Sequence, residues 1–449
     1  MMATEITDGT ANCLSAKKNL LHTGLGKALF GERMNTSTPE SRNYHVMAKP
    51  IGPICNLDCT YCYYLEKERL FPKGENFRMS PEVLEEYVRQ YIASQETPEV
   101  TFAWQGGEPT LLGLEYFKKI IELQRKHSGG RKINNTLQTN GTLLDDDWCL
   151  FFKEHDFLIG LSIDGPKRLH DTYRVDRGGK PTFERVMGGI KLLKKHKVEF
   201  NTLTVVSASN VKHATEVYDF LRESGSGYIQ FIPLVERLPS PVEEGVGYDH
   251  AEPPEPGQSG SPVTGWSVPR DAYGDFLITI FDQWVKRDVG KVYVQMFDVS
   301  LGIWSGHGPG LCLFLKDCGE GLALEHNGDL YSCDHFVYPK YRLGNIMNAS
   351  LGDLVNSTRQ RLFGQSKSAS LPKYCNDCEV RFACNGECPK HRFLKTPDGE
   401  EGLNYLCASY RKFFNHVDPY MKVMADLMAR RTAPASIMRM LPLQGRMEA

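Results

Sequence analysis

Between about residue 45 and residue 235, short runs of β-branched and aromatic residues alternate with longer stretches of helical period. Val100–Trp104, Asn135–Thr139, Phe157–Ile163, Phe200–Val206 and Tyr228–Pro233 read as strands, because each is a short apolar run bounded by turn-forming residues. Pro81–Ser94, Leu114–His127, Phe183–His196 and Ala214–Ser224 repeat apolar residues every three or four positions and read as helices. Regular alternation of the two predicts an α/β fold with a parallel sheet and crossover helices. Polar motifs lie directly after several of the strands, which predicts a site at the C-terminal strand ends of a full or partial β/α barrel.

The pattern changes on either side. Residues 1–43 are polar, rich in Gly, Ser and Thr, and read as a disordered leader in which Met34 offers an alternative translation start. The barrel segment is 44–236. Residues 237–269 collect Pro, Gly, Ser and Glu with little apolar period, which marks an insertion or linker. A helical connector follows over 270–311, with a helix from about Arg270 to Arg287. From 312 to 425 the chain is dense in cysteine and loop-rich, as expected of a small domain organised around metal, and 426–449 forms a tail.

Composition narrows the function classes. The 449 residues are 41% apolar, enough for a sizeable core in two or three domains. Lys and Arg total 53 against 55 Asp and Glu, so no charge imbalance favours nucleic acid or an anionic membrane. No apolar run has membrane length, and no secretion leader precedes the barrel, so a cytoplasmic address is expected. Thirteen cysteines in a reducing compartment indicate metal or redox chemistry rather than a disulfide framework.

The first three cysteines of the barrel segment, Cys55, Cys59 and Cys62, are spaced C-x3-C-x2-C on one loop and followed by Tyr63 and Tyr64. Three thiolates can each ligate a different iron of a 4Fe–4S cube and leave the fourth iron open to a small molecule. The alternative, a zinc knuckle, lacks a fourth Cys or His at zinc spacing in this loop. The motif resembles that of the radical S-adenosylmethionine (SAM) enzymes. The resemblance implies that the open iron chelates SAM and that SAM is cleaved to a 5'-deoxyadenosyl radical. Gln105-Gly-Gly-Glu-Pro109, at the end of a predicted strand, is similar to the GGEP motif of that superfamily, which implies that Gly106, Gly107 and Glu108 surround the SAM amino group. Thr139-Asn-Gly141 and Ser162-Ile-Asp-Gly165 read by themselves as strand-to-helix turns. In the family context, Ser162 and Arg174 resemble the positions that contact the SAM ribose and carboxylate. His170 and Asp171 read as structural, Cys149 as a core thiol beside Trp148 and Phe151, and Cys13 as part of the leader.

Eight cysteines remain: Cys312, Cys318 and Cys333, then Cys375, Cys378, Cys384 and Cys388, then Cys407. Eight thiols suit two closed clusters of four, with two four-cysteine zinc sites as the alternative that thiol count leaves open. The spacing resembles the SPASM extension of peptide-modifying radical SAM enzymes, and within it the anaerobic sulfatase-maturating enzymes. The resemblance, not the spacing, assigns Cys312, Cys318, Cys333 and Cys388 to one auxiliary cluster and Cys375, Cys378, Cys384 and Cys407 to the other. It also implies a partial (β/α)6 TIM-like barrel followed by a small SPASM domain, with three 4Fe–4S clusters and SAM as cofactors.

Asp334 directly follows Cys333, where this family places the base that takes the thiol or hydroxyl proton of the substrate. A carboxylate in that role is expected to need burial that raises its pKa. Gln105 and Tyr64 fall where the family places substrate contacts. The implied activity is oxidation of a Cys or Ser side chain in an unfolded sulfatase, within a C/S-x-P-x-R type motif, to Cα-formylglycine. A flavodoxin- or ferredoxin-type protein is the expected electron donor. The alternatives are another SPASM enzyme that crosslinks a ribosomal peptide through a thioether or carbon–carbon bond, and a non-catalytic iron–sulfur carrier. Asp334 and the eight-cysteine spacing favour the first; no N-terminal leader-recognition domain supports the second, and the third requires the GGEP motif and the three-cysteine loop to coincide by accident.

Overall fold

A computed structural model describes residues 44–444 except 246, 247, 259 and 261, so Cys13 and Met34 lie outside the described residues. Seven parallel strands follow one another in chain order: β1 (His45–Lys49), β2 (Glu99–Trp104), β3 (Lys132–Thr139), β4 (Leu158–Ser162), β5 (Phe200–Val206), β6 (Tyr228–Pro233) and the short β7 (Tyr293–Val294). Helices of eight or more residues are numbered here. Five of them connect the first six strands: α1 (Pro81–Ser94), α2 (Leu114–His127), α3 (Asp146–Glu154), α4 (Phe183–Lys195) and α5 (Ala214–Ser224). Local chemistry sets several of their ends. Ser80 accepts a hydrogen bond from the Val83 amide with Pro81 in the first turn, Asp145 does the same for Trp148, and Gly225 ends α5 at φ 86°.

Alternation along each strand separates two faces. Val100, Phe102 and Trp104 are buried in the apolar layer, where Tyr87 and Tyr91 of α1 meet the stacked Phe102 and Trp104 rings. The intervening positions Thr101, Asn134, Thr136, Gln138 and Ser162 are polar and only partly buried. The core therefore lies between sheet and helices, and the inner face of the barrel carries these polar side chains among apolar ones such as Met47, Ala103 and Leu203.

The second half of the chain extends the barrel sheet. Strand β8 (Gly321–Glu325) runs parallel to β1 along its free edge, with Met47 opposite Ala323 and Lys49 opposite Glu325. Antiparallel β9 (Asp329–Tyr331) and β10 (Arg342–Asn345) follow, which completes the order β10-β9-β8-β1-β2-β3-β4-β5-β6-β7. The region expected to be loop-rich thus acquires regular structure from an edge strand that lies far away in sequence. The later helices are α6 (Ala272–Arg287), α7 (Gln295–Trp304), α8 (Thr358–Ala369), α9 (Cys407–Ala429) and α10 (Ile437–Gln444). Helix α9 crosses α6 so closely that a Cβ on Gly274 would stand 2.6 Å from the Ser409 carbonyl oxygen. It buries Tyr410, Phe413, Phe414 and Val417.

The Pro-rich segment 237–269 is strapped down where it is described. The Asp249 and His250 amides donate to the buried Glu66 carboxylate, and Lys340 pairs with Glu252 at 3.0 Å and Glu255 at 2.6 Å. Among the described residues, no helix is long and apolar enough to cross a membrane.

Candidate active site and metal centres

The Cys55–Cys62 loop leaves the C-terminal end of β1 and is stitched to the end of β2. The amides of Gly107 and Glu108 donate to the carbonyls of Gly52 (2.8 Å) and Ile54 (2.9 Å). A Cβ on Gly107 would stand 2.0 Å from the Ile54 oxygen, and Gly106 combines φ 128° with a Cβ position 2.9 Å from the Gly52 oxygen. The paired glycines therefore answer to the backbone of the cysteine loop, beyond any approach they allow to a ligand. Arg177 Nε anchors the loop from the other side through the Cys55 carbonyl at 2.9 Å.

Cys55, Cys59 and Cys62 face one another. Burial pushes the Cys55 and Cys59 thiols up to about 12; mutual repulsion among the three adds to this, while Arg174 pulls Cys59 back. A set of buried thiols whose ionised forms would repel one another, with Arg174 as the nearby cation, is a donor set suited to a cationic iron–sulfur core, which would replace the protons.

Around this loop, the residues expected to bind SAM have further duties. Glu108 is fully buried. Its Oε1 accepts from the Thr110 amide (3.1 Å), Thr110 Oγ1 (2.6 Å) and Thr139 Oγ1 (2.7 Å), and its Oε2 from the Asn140 amide (2.7 Å). The carboxylate expected to meet an ammonium thus fastens the ends of β2 and β3, and Oε2 alone retains capacity for a ligand. Arg174 is buried beside Cys59 and donates through Nε to Asp164 at 2.9 Å, while Asp164 also receives the Tyr61 hydroxyl at 2.5 Å. Ser162 Oγ accepts from Gln138 at 3.0 Å, and Gln105 stands half-buried at the end of β2. His170 is enclosed between the Asp164 amide and Thr182, and Asp171 accepts from the amides of Thr182 and Phe183. Cys149 is fully buried in the apolar core.

Asp334 is brought to the cysteine loop by the turn after β9. Its Oδ1 lies 2.6 Å from Lys49 Nζ, and its Oδ2 accepts the Tyr63 hydroxyl at 2.7 Å. Burial, the largest single influence, pushes this carboxyl up, but Lys49, His335 and the Tyr63 hydroxyl together hold it down at about 2, the reverse of the direction expected from sequence. Tyr64, expected at the substrate, is 4% exposed, and its hydroxyl donates to Glu325 at 2.7 Å. Lys49 Nζ lies 4.5 Å from the Tyr64 ring centroid. Tyr63, rather than its neighbour, reaches the candidate base. Sequence reasoning missed both Tyr63 and Lys49, and the only available signal for Lys49 was a lone cation ending an apolar run.

The remaining eight cysteines form two groups. The Cys333 thiol is destabilised as a thiolate by burial and then by Cys312, Cys388 and Cys318. Cys375, Cys378, Cys384 and Cys407 line one small cavity together with Arg411. Cys384 and Cys388 sit on one short bridge yet serve different groups. Among the described residues, no three Cys, His, Asp or Glu side chains stand close enough to grasp a single metal ion.

A parallel-strand barrel with a three-cysteine loop and a cysteine-rich extension defines a radical SAM enzyme with auxiliary iron–sulfur binding. Family models agree: the Radical SAM superfamily matches residues 50–221, and an iron–sulfur cluster-binding domain, SPASM, matches residues 317–379. The chain is 48% identical over 409 residues to a serine-type anaerobic sulfatase-maturating enzyme of Bacteroides thetaiotaomicron, covering 91% of this chain and 98% of that protein. It is 35% identical over 388 residues to a cysteine-type anaerobic sulfatase-maturating enzyme of Clostridium perfringens, covering 85% and 98%. The solved structure of native anSMEcpe with bound AdoMet and Cp18Cys peptide superimposes with a TM-score of 0.73 at 34% identity, covering 86% of this chain and 99% of that one. The chain belongs to the anaerobic sulfatase-maturating enzymes.

Proposed function

We propose that this protein uses SAM and three 4Fe–4S clusters to oxidise a Cys or Ser side chain of a sulfatase to Cα-formylglycine. Cys55, Cys59 and Cys62 would hold the SAM-binding cluster, the set of Cys312, Cys318, Cys333 and Cys388 a second, and the set of Cys375, Cys378, Cys384 and Cys407 a third. When bound, these groups supply the radical that removes a Cβ hydrogen atom and the acceptor for the electron that the substrate then releases. The side chain loses one hydrogen atom, one proton and one electron in total, and the thioaldehyde from a cysteine substrate exchanges sulfur for oxygen with water.

The observation that carries the mechanism is the Lys49–Asp334–Tyr63 contact. Lys49 keeps the Asp334 carboxylate ionised and fixed at Oδ1, and Tyr63 orients Oδ2, so a proton acceptor stands ready beside the cysteine loop. A carboxylate held this low is a weak base toward an ordinary thiol or hydroxyl. It suits a group whose acidity has risen because its carbon carries an unpaired electron. The Oε2 of Glu108, Arg174, Ser162 and the glycines Gly106 and Gly107 would receive SAM, and Gln105 would receive substrate.

Polar side chains on the inner face of the barrel, among them Gln138 and Ser162, would serve binding of an extended peptide with the motif C/S-x-P-x-R, and a flavodoxin or ferredoxin would be the donor. A reducing, cytoplasmic setting goes with this reading, since the cluster cysteines must be available as thiolates. The test is anaerobic incubation of the reconstituted, reduced protein with SAM and two peptides that differ only in Cys or Ser at the motif. Mass spectrometry should find loss of two hydrogens from the Ser peptide, or that loss with sulfur replaced by oxygen in the Cys peptide. Formation of 5'-deoxyadenosine with both peptides unchanged would overturn the sulfatase assignment and leave the radical chemistry standing.

A further inference from the structure

The two auxiliary cysteine groups meet at Cys384-Asn-Gly-Glu-Cys388, whose first cysteine belongs to one group and whose last belongs to the other. The three residues between them all have positive φ: Asn385 at 46°, Gly386 at 71° and Glu387 at 52°. Three consecutive residues, two of them not glycine, are thereby held in a region that non-glycine residues rarely adopt. The strained turn directs three carbonyls onto one guanidinium. Arg392 Nε donates to the Gly386 oxygen at 2.8 Å, and Nη2 donates to those of Asn385 and Glu387, each at 3.0 Å. Its Nη1 donates to the Lys367 carbonyl at 2.5 Å. A Cβ on Gly386 would stand 2.7 Å from Arg392 Nη2, so the clasp requires glycine at its centre.

Lys367 is a second enclosed cation. It is fully buried, and its Nζ donates to the carbonyls of Cys312 (2.7 Å) and Leu313 (2.8 Å). Among the described residues, neither Arg392 nor Lys367 forms an ion pair with a carboxylate. The carboxylates nearby have other partners: Glu387 is held by His391 at 3.0 Å and Asn404 at 2.6 Å, and the half-buried Asp317 accepts from Ser368 at 2.5 Å. Both cations sit against the backbone of the cysteine groups, Lys367 on the Cys312 carbonyl and Arg392 on the bridge between Cys384 and Cys388. Arg392 interacts with Cys388, Cys375, the Glu387 carboxylate and Cys318, spanning both groups, and Lys367 acts on Cys312 and Cys318, where Glu387 opposes it in part. At the first cysteine loop, by contrast, Arg174 is matched by Asp164.

Buried cations without anionic partners are costly. Four thiolates around a 4Fe–4S core leave a net negative charge, which becomes more negative on reduction. We propose that Arg392 and Lys367 are redox-tuning residues whose buried charges, bound in no direct ion pair, raise the reduction potentials of both auxiliary clusters above that of the cluster on Cys55, Cys59 and Cys62. Potentials ordered this way would favour transfer of the single electron released by the substrate to an auxiliary cluster over its return to the SAM site. Arg392, at the junction, acts on both clusters; Lys367 acts on the one held by Cys312. The assignment rests on the three-cluster reading above.

The test is an EPR-monitored redox titration of the reconstituted holoenzyme, with iron and zinc quantified. Arg392→Gln should lower both auxiliary potentials, Lys367→Met only that of the Cys312 group, and neither should move the SAM cluster; Arg392→Lys and Lys367→Arg should keep wild-type potentials. Unchanged potentials in iron-loaded Arg392→Gln and Lys367→Met would overturn the proposal. Should the charge-removing variants fail to hold iron, loading of the charge-retaining pair sustains the counter-charge role, and failure of that pair as well overturns it. Zinc in the wild-type auxiliary sites would refute the cluster reading itself.

Discussion

Replacing Gly107 by alanine tests whether the glycine pair is dictated by the cysteine loop. The added Cβ would meet the Ile54 oxygen at 2.0 Å, the Ile54 carbonyl carbon at 2.4 Å and the Pro53 carbonyl carbon at 2.7 Å, where ordinary contact begins at 3.4 Å. These are backbone atoms, so no side chain can swing aside, and the loop must retreat by more than an ångström. Such a retreat breaks the hydrogen bonds from Gly107 to Gly52 and from Glu108 to Ile54. Two hydrogen bonds at about 1 kcal/mol each, with about 1–3 kcal/mol for overpacking, give a destabilisation of about 3–5 kcal/mol. The displaced atoms precede Cys55 directly, so iron loading at the three-cysteine loop should fall together with stability. Urea unfolding of the apoprotein and iron content after reconstitution measure the two effects. Gly188→Ala, on helix α4 with open space around the added Cβ, provides a control that should leave both readouts near wild type or raise stability slightly. A Gly107→Ala protein with wild-type midpoint and iron content would refute the close-approach account and leave ligand contact as the reason for glycine.

Three further outcomes are expected. Lys49→Met strands the buried Asp334 carboxylate, so formylglycine formed per 5'-deoxyadenosine should fall about 100-fold while SAM cleavage continues; product and 5'-deoxyadenosine falling in parallel would exclude a role confined to the proton acceptor. Cys388→Ala should remove the iron–sulfur signal of the Cys312 group and Cys384→Ala that of the Cys375 group, and loss of the same signal in both would contradict the crossover between groups. Burial, with Arg174 adding to it, lowers His170 to about 4, so the unfolded chain binds the extra proton between about pH 6.5 and 4. Stability is therefore fully present above the unfolded value and declines by about 3 kcal/mol as pH falls through that window, a slope that His170→Gln should flatten in pH-dependent urea unfolding.

Elements governed by local chemistry were legible to the residue. Pro81–Ser94, Leu114–His127, Ala214–Ser224, Phe200–Val206 and Tyr228–Pro233 form where periodicity and end signals place them. The edge strands were not, because β1 and β8 are short and stabilise each other across a separation that no local pattern encodes. Helix α9 carries a readable apolar stripe, but its first residue is Cys407, and the cysteine spacing drew attention away from the helical period.

The candidate site divides along the same line. Cysteine spacing identifies donor chemistry because a single loop controls the relative positions of Cys55, Cys59 and Cys62, and Gly106 and Gly107 are recognisable because only glycine tolerates such contacts. Sequence by itself therefore determined the class of chemistry and the elements of the barrel. Tertiary structure alone decided that Tyr63 rather than Tyr64 reaches Asp334, that Lys49, with His335 and Tyr63, reverses the effect of burial on that carboxylate, and that Arg392 is clasped between two cysteine groups. Those features depend on the direction of each side chain and on charges from distant strands. Electrostatic energy falls with separation in space, and separation along the chain does not report it.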